Sequence, residues 1–179
     1  PDIVTMAKGV ASGYAAISVT VTTEDLFDGF KSDPSNPMSY FRDISTFGGC
    51  TAGPAAALEN LRILEEESLL DNAATIGAHL LEQLRELQDK HELIGDVRGK
   101  GLLVGVELVA DRAARTPAAE SVAASVVADC LQQGVMIGRT NRSFPQHNNT
   151  LCIAPALICG KDEVAEIIAA LDGAIGRAK

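Results

Sequence analysis

The feature that most constrains the fold is the alternation of helical and strand-like patterns over residues 69–179. Residues 69–90 and 161–177 carry apolar side chains three or four positions apart, which predicts two amphipathic helices. An Ala/Val-rich helix is predicted over 117–133. Short apolar stretches predict strands at 94–97, 102–108, 135–137 and 151–153. Because each helix must bury its apolar face against other elements, we expect an α/β fold for this part of the chain.

The N-terminal part carries fewer regular patterns. A β-branched, alternating stretch predicts a strand over 16–22, a Thr-Glu-Asp start predicts a short helix through Phe30, and Pro54 begins a helical pattern. Residues 31–51 contain two Pro and a Gly-Gly pair, which predicts a long irregular segment of the kind that often carries function. We place a domain boundary between residues 68 and 69. The chain opens on Pro1 without an initiator Met, and we expect a truncated chain.

Charge and composition narrow the classes of function. The formal net charge is −9 and no basic cluster is visible, which argues against a nucleic-acid partner. The longest apolar runs are shorter than the roughly 20 residues that span a bilayer. The four cysteines are far apart and lack CxxC spacing, and no metal-ligand pattern joins them to the three histidines. We therefore expect no metal, buried reduced thiols and a cytoplasmic protein.

Lys8 is the most informative single residue. It follows an apolar stretch, lies between Ala7 and Gly9, and is followed by Gly13. Small neighbours allow a planar ring to approach the backbone, and an apolar surround disfavours the charged ammonium. Both conditions suit a lysine that must present a neutral amine. Residue type alone also fits a surface lysine at the end of a strand.

The stretch Asp2-Ile3-Val4-Thr5-Met6-Ala7-Lys8, with Ser12-Gly13 after it, resembles the lysine signature of class III (ω-type) pyridoxal-phosphate aminotransferases. The resemblance continues in register to the end of the chain. It implies an α/β fold of the fold-type I PLP-dependent transferases. Residues 1–68 would be the C-terminal part of the large PLP-binding domain, and residues 69–179 the small C-terminal α/β domain. Lys8 would form a Schiff base with pyridoxal 5′-phosphate and act as the catalytic residue.

A second landmark is Ser45-Thr46-Phe47-Gly48-Gly49. It resembles the family segment whose threonine reaches across a dimer interface to the cofactor phosphate of the other subunit. A hydroxyl and free backbone N–H groups beside glycines are suitable ligands for a phosphate. The resemblance therefore implies that Ser45 and Thr46 bind the cofactor, and that the protein is a homodimer or higher oligomer.

Two further segments bear on the substrate. The run Val97-Arg98-Gly99-Lys100-Gly101 resembles the family's small-domain strand turn, and we interpret Arg98 and Lys100 as structural. The run Ala154-Pro155-Ala156-Leu157 resembles the family's Pro-Pro-Leu segment. Several members have a carboxylate-binding arginine three residues before the first proline, a position occupied here by Cys152. Arg139 and Arg142, in the predicted polar loop 138–150, are the candidate replacements, since a guanidinium pairs bidentately with a carboxylate.

The predicted activity is transamination from an ω-amino acid or amine to an α-keto acid, with pyruvate as the expected acceptor. An aminomutase, a decarboxylase or a racemase of the same fold would carry the same lysine. A non-catalytic fragment that contributes only a dimer surface also stays open. The family's cofactor-pairing Asp and its Gly/Ser-rich phosphate loop are not among these 179 residues, so we expect this chain alone to be incomplete as an enzyme.

Overall fold

The computed structural model describes residues 1–31, 33–141 and 144–178. They form two compact units, Pro1–Glu67 and Ser68–Lys179. Assignment of these units to the large and small domains of a fold-type I transferase stays a prediction. No helix in the described ranges is long and apolar enough to cross a membrane.

The first unit begins with a two-stranded antiparallel ladder. Strand β1 (Ile3–Ala7) is followed by one 3-10 turn (Lys8–Ala11), and strand β2 (Ser18–Thr22) then pairs back along β1. Helix α1 (Glu24–Asp28) and a 3-10 turn (Gly29–Lys31) come next. Residues 33–51 form neither helix nor strand, as the Pro- and Gly-containing sequence predicts. Helix α2 (Ala52–Glu66) begins two residues before the predicted Pro54.

The first unit has almost no interior of its own. Among its described residues only Ala11, Gly53 and Ala57 are buried. Leu58 and Leu61, which the sequence pattern assigns to an apolar side of α2, are 70% and 47% exposed. A two-stranded ladder is marginally stable at best in water without further packing. The exposed apolar surface of this unit is therefore of the kind found at protein contacts.

The second unit is a small antiparallel sheet with helices. It contains in order α3 (Leu69–Lys90), β3 (Ile94–Lys100), β4 (Leu103–Asp111), β5 (Thr116–Pro117), α4 (Glu120–Gln132), β6 (Gly138–Arg139), β7 (Thr150–Ile153) and α5 (Lys161–Arg177). The strand order is β3-β4-β7-β6, and β5 pairs with β4. Every pairing is antiparallel.

The two long helices have the predicted bounds, whereas the bounds of the strands differ, most clearly for β3 and β6. Strand β3 continues to Lys100 instead of ending at Val97, because the chain reverses only at Gly101, whose φ of +55° suits a glycine. Strand β6 lies at Gly138–Arg139, directly after the predicted 135–137. Gly138 and Arg139 form the strand because they pair with Cys152 and Leu151 of β7. The local sequence pattern does not predict that pairing.

One face of the sheet forms the core of the second unit. Val104, Val106 and Leu108 of β4 and Leu151 and Ile153 of β7 are at most 2% exposed. They cluster with buried residues of the helices, among them Leu80, Leu84, Val126, Val164 and Leu171. The intervening residues Gly105, Glu107 and Cys152 are half-buried on the opposite face. The alternation fixes the register, since a shift of one residue would expose the whole apolar set.

The C-terminal end of α3 is fixed by side chains from distant parts of the sequence. Arg112 donates from Nη2 to the backbone carbonyl oxygens of Gln88, His91 and Ile94, at 2.7–2.8 Å. Asp172 of α5 contacts His91 Nε2 at 2.6 Å. Hydrogen bonds from Lys90 and His91 hold the pKa of the Asp172 carboxyl below its ordinary value. The bond to Gln88 satisfies a carbonyl of the last turn of α3, where carbonyl groups have no partner within the helix. The bonds to His91 and Ile94 fasten the chain that follows the helix.

Two glycines allow α3 to approach the β3–β4 turn. A Cβ at Gly77 would lie 2.3 Å from the carbonyl carbon and oxygen of Gly101. The obstruction is backbone, so no side-chain rotation can relieve it.

We expect Gly77→Ala to destabilise the second unit by about 1–3 kcal/mol, because α3 must move away from the turn. Thermal unfolding followed by circular dichroism measures the effect. The matched control is Gly176→Ala in α5, where a Cβ meets only His91 Cε1 at an ordinary 3.6 Å. That control should be neutral or more stable by up to about 1 kcal/mol, owing to the higher helix propensity of Ala. Equal unfolding temperatures for the two variants would contradict this packing.

Candidate active site

Lys8 lies at the point where the chain leaves strand β1 and enters the 3-10 turn. Its φ is +54°, a left-handed conformation that is uncommon for a residue with a Cβ. Its carbonyl oxygen accepts a hydrogen bond from the N–H of Gly13, and that of Gly9 accepts one from Ser12. Non-glycine residues with positive φ cluster at functional sites, where the surrounding structure holds them in place.

The side chain of Lys8 is exposed in this structure. The expected apolar surround of Lys8 stays a prediction for the whole protein, because the described residues of this chain do not provide it. The reason is that β1 and β2 form only a two-stranded ladder, which has no second layer of its own to cover the end of β1.

Ser45 and Thr46 lie in the irregular segment of the first unit, and both are exposed. Ser45 donates from its hydroxyl (2.6 Å) and its backbone N–H (2.9 Å) to Asp43 Oδ1. These two hydrogen bonds hold the pKa of the Asp43 carboxyl below its ordinary value. The turn continues with a hydrogen bond from Gly48 N–H to the Ser45 carbonyl. Within the described ranges the Thr46 hydroxyl has no hydrogen-bond partner, so it is available to a ligand.

Arg139 belongs to edge strand β6 and not to a loop, which corrects the predicted position. Its Nη1 donates to Glu120 Oε1 at 2.7 Å and to the Thr140 carbonyl at 3.2 Å. Hydrogen bonds from Arg139 and Asn148 hold the pKa of the Glu120 carboxyl below its ordinary value. The Nε–Nη2 edge of the guanidinium has no partner among the residues that the structure describes. Arg142, the other candidate, lies outside the described residues.

Cys152 and Arg139 lie on neighbouring strands but do not face each other. Gly138 of β6 pairs with Cys152 of β7, and Arg139 pairs with Leu151. Consecutive residues of a strand point to opposite faces, so Arg139 leaves the sheet on the face of the buried Leu151 and Cys152 on the other. Arg139 is therefore not a direct replacement for an arginine at position 152. It would have to reach a ligand from the other face, around the sheet edge.

Two further polar residues are Arg98, which we interpret as structural, and His147 of the predicted loop 138–150. Arg98 lies in β3 and donates from Nη1 to Asp96 and Glu107, each at 2.7 Å, an arrangement that supports a structural role. His147 is exposed at the end of the 3-10 turn Pro145–His147. Sequence reasoning missed Glu120, the carboxylate that pairs with Arg139. A sequence-based signal was its position in the first turn of α4, where carboxylates are favoured.

The cysteines agree only in part with the expected buried thiols. All four are free, and Cys130 and Cys159 are buried, but Cys152 is half-buried and Cys50 is exposed. Burial raises the pKa of the Cys130 and Cys159 thiols, which makes these two poor nucleophiles.

Comparison with known proteins identifies the family. The family model for class-III aminotransferases matches residues 1–175. The chain belongs to the class III aminotransferase family. Its relatives in that family include the taurine–pyruvate aminotransferase of Rhodobacter capsulatus, which is 63% identical over 177 residues. The hypotaurine/taurine–pyruvate aminotransferase of Paracoccus denitrificans is 62% identical over 175 residues. The matches cover 99% and 98% of this chain, but only 39% and 38% of those relatives.

Solved structures of aminotransferases have the same fold. An aminotransferase of Bacillus anthracis matches with a TM-score of 0.92 and 44% identity, over 99% of this chain and 39% of that one. An amine transaminase from an uncultivated Pseudomonas species, solved in its PLP-bound form, matches with a TM-score of 0.88 and 31% identity. That match covers 100% of this chain and 39% of the other. The α/β fold expected from the sequence, a portion of a fold-type I transferase, is thereby confirmed.

The left-handed conformation of Lys8 gives a prediction that is independent of chemistry. Lys8→Gly should leave the protein as stable as the parent or more so, because glycine adopts positive φ freely. Lys8→Val should lower stability by about 1–2 kcal/mol, because a left-handed residue with a branched Cβ is strained. Thermal unfolding of the two variants, both of which lack the amine, checks this. Equal stability of the Gly and Val variants would contradict the described backbone.

Proposed function

We propose that the protein containing this chain is a PLP-dependent aminotransferase that moves an amino group from an ω-amino anion of the taurine type to pyruvate. The single observation that carries the proposal is the 59–63% identity with taurine–pyruvate aminotransferases, in a chain that presents an exposed lysine at the end of β1. The chain spans about two fifths of the length of these relatives, so activity and substrates are proposed for the whole protein.

Pyridoxal phosphate is the cofactor that membership of the family implies. The residues present are suitable for it: among the described residues, none forms a hydrogen bond or ion pair with the Lys8 amine, and none uses the Thr46 hydroxyl. We propose that Nζ of Lys8 binds the aldehyde carbon covalently, and that Ser45 and Thr46 contact the phosphate. The bound cofactor supplies an electron sink that stabilises negative charge at the substrate carbon.

Lys8 has a second role in this proposal. With the cofactor bound, Nζ of Lys8 would take the proton from the amine-bearing carbon of the donor and would later deliver a proton to the acceptor carbon. This is general base and general acid catalysis by one group. In the balanced reaction the donor's amine carbon becomes a carbonyl carbon, while the keto carbon of pyruvate receives the amino group.

We propose a homodimer or higher oligomer in which Thr46 reaches the cofactor of the neighbouring subunit. Supporting observations are the exposure of Thr46 and the apolar side chains on either side of it, Ile44 (80% exposed) and Phe47 (85% exposed). Exposed apolar residues beside a polar contact are typical of surfaces that become buried in an assembly. We also propose a cytoplasmic location, which the four free thiols support.

Arg139 is the residue we propose for recognition of the substrate anion. Taurine carries a sulfonate and pyruvate a carboxylate, and the Nε–Nη2 edge of a guanidinium can donate two parallel hydrogen bonds to either group. Glu120 holds Nη1 of Arg139 and leaves that edge available. Because β6 is the edge strand among the described residues, a ligand can meet the Nε–Nη2 edge while Glu120 still holds Nη1.

The direct test of the cofactor role is Lys8→Ala in the full-length protein. We expect it to lose the absorbance band of covalently bound cofactor and all measurable amino transfer from taurine to pyruvate. Lys31→Ala is the matched control, since Lys31 is an exposed lysine of the same unit whose partner is Asp28. The control should retain both properties. A full covalent band in Lys8→Ala, or none in the parent protein, would reject the proposal.

The role of Arg139 predicts a selective change in KM. Arg139→Ala should raise KM for pyruvate about 10–100-fold, the equivalent of losing charge-assisted hydrogen bonds worth about 1.5–3 kcal/mol. Arg177→Ala removes a comparable ion pair, with Asp129 at 2.7 Å, and should leave KM within about twofold, as for an ordinary surface pair. Steady-state kinetics with pyruvate and taurine measures both variants. Parallel changes in the two variants would count against Arg139.

A further inference from the structure

We infer that Asn60 is a positioning residue for Lys8. Its side-chain Nδ2 donates to the backbone carbonyl oxygens of Gly9 at 3.2 Å and Val10 at 3.1 Å. Both carbonyls belong to the 3-10 turn that begins at Lys8. Asn60 lies fifty residues away in the chain, on α2, so the amide joins two separate segments of the first unit. The inference rests on the proposed role of Lys8.

The face of α2 that carries Asn60 is built for close approach to this turn. Gly53, Ala57 and Asn60 are four and three positions apart, so they lie on one side of the helix. Gly53 and Ala57 are the two buried residues of α2. A Cβ at Gly53 would already lie 3.2 Å from the Ala16 carbonyl oxygen and 3.3 Å from Ile17 Cβ. Small residues therefore bring the helix near the backbone that leads out of the turn, and the amide binds the turn itself.

An asparagine side chain suits this position because its NH₂ group carries two donors. The Gly9 carbonyl already accepts a hydrogen bond from the Ser12 N–H within the same segment. The amide of Asn60 adds contacts from a separate helix, which limits the freedom of the turn to move. The left-handed φ of Lys8 is unfavourable for a residue with a Cβ and persists only where neighbouring contacts determine it. Holding Gly9 and Val10 therefore fixes the direction in which the Lys8 side chain leaves the backbone.

The consequence is that Asn60 tunes covalent cofactor binding without touching the cofactor. A lysine whose starting direction is free must lose more conformational freedom when Nζ forms the covalent bond. Loss of the amide should therefore weaken binding of pyridoxal phosphate, while the turn can still fold.

The experiment compares Asn60→Asp and Asn60→Ala with Asn72→Asp and Asn72→Ala in the full-length protein. Asn72 is a matched control, because its Nδ2 also donates to two carbonyls, those of Leu157 at 2.6 Å and Cys159 at 3.0 Å, in the second unit. Titration of cofactor-free protein with pyridoxal phosphate, followed by the absorbance of the covalently bound form, gives the apparent Kd. Thermal unfolding of each cofactor-free variant is measured in parallel.

We expect both Asn60 variants to raise the apparent Kd about tenfold, the effect of losing one net hydrogen bond, and both Asn72 variants to stay within about twofold. Asn60→Ala decides the question if Asn60→Asp fails to fold. An unchanged apparent Kd in the Asn60 variants overturns the inference. An equal rise in apparent Kd in the Asn60 and Asn72 variants, in proportion to their loss of thermal stability, overturns it as well.

Lys8→Ala separates the role of Asn60 from the proposed function. If it abolishes the covalent band while the Asn60 variants bind normally, only the role of Asn60 fails. If it retains the band, the proposed function itself fails.

Discussion

Helix α2 approaches the backbone of residues 8–17 closely because the side chains on its facing side are small or carry an amide. A Cβ at Gly53 would lie 3.2 Å from the Ala16 carbonyl oxygen and 3.3 Å from Ile17 Cβ, and Asn60 donates to the carbonyls of Gly9 and Val10. We infer that this contact helps to fix the geometry of Lys8, together with the hydrogen bond from the Gly13 N–H to the Lys8 carbonyl, because its left-handed φ is unfavourable for a residue with a Cβ. The candidate catalytic residue is thus positioned by backbone contacts, while its own side chain stays free to react.

The second unit has a different organisation, because it has a core of its own. The apolar face of its antiparallel sheet is covered by helices, and α3 approaches the β3–β4 turn through Gly77 and Gly101. This scaffold fixes the start of α4 and edge strand β6, and so brings Glu120 within 2.7 Å of Arg139. A rigid sheet edge that presents a long, ion-paired arginine is a suitable means of recognising an anion, since only the side chain has to move.

Much of the fold could be predicted from the sequence, and the failures have physical causes. Helices α3 and α5 agree in both bounds with prediction, because a long amphipathic period is a strong signal. The predicted strand 135–137 lies just before the observed β6, because the position of β6 depends on its pairing with β7. The local sequence pattern does not contain that information. Lys8 stood out through family resemblance, whereas Asn60 and Glu120 did not. Their roles arise from tertiary contacts: Asn60 contacts Val10, 50 residues away, and Glu120 contacts Arg139, 19 residues away. The neighbouring residues in the sequence do not indicate these partners.

In the function proposed above, Lys8 is the residue to which the cofactor becomes covalently attached. Reduction of the full-length holoenzyme with borohydride makes that attachment permanent, and mass spectrometry of the resulting peptides identifies the modified lysine. We expect a single pyridoxyl adduct, on the peptide that contains Lys8, in an amount proportional to the cofactor bound before reduction. An adduct on another lysine, such as Lys31 or Lys100, with Lys8 unmodified would contradict it.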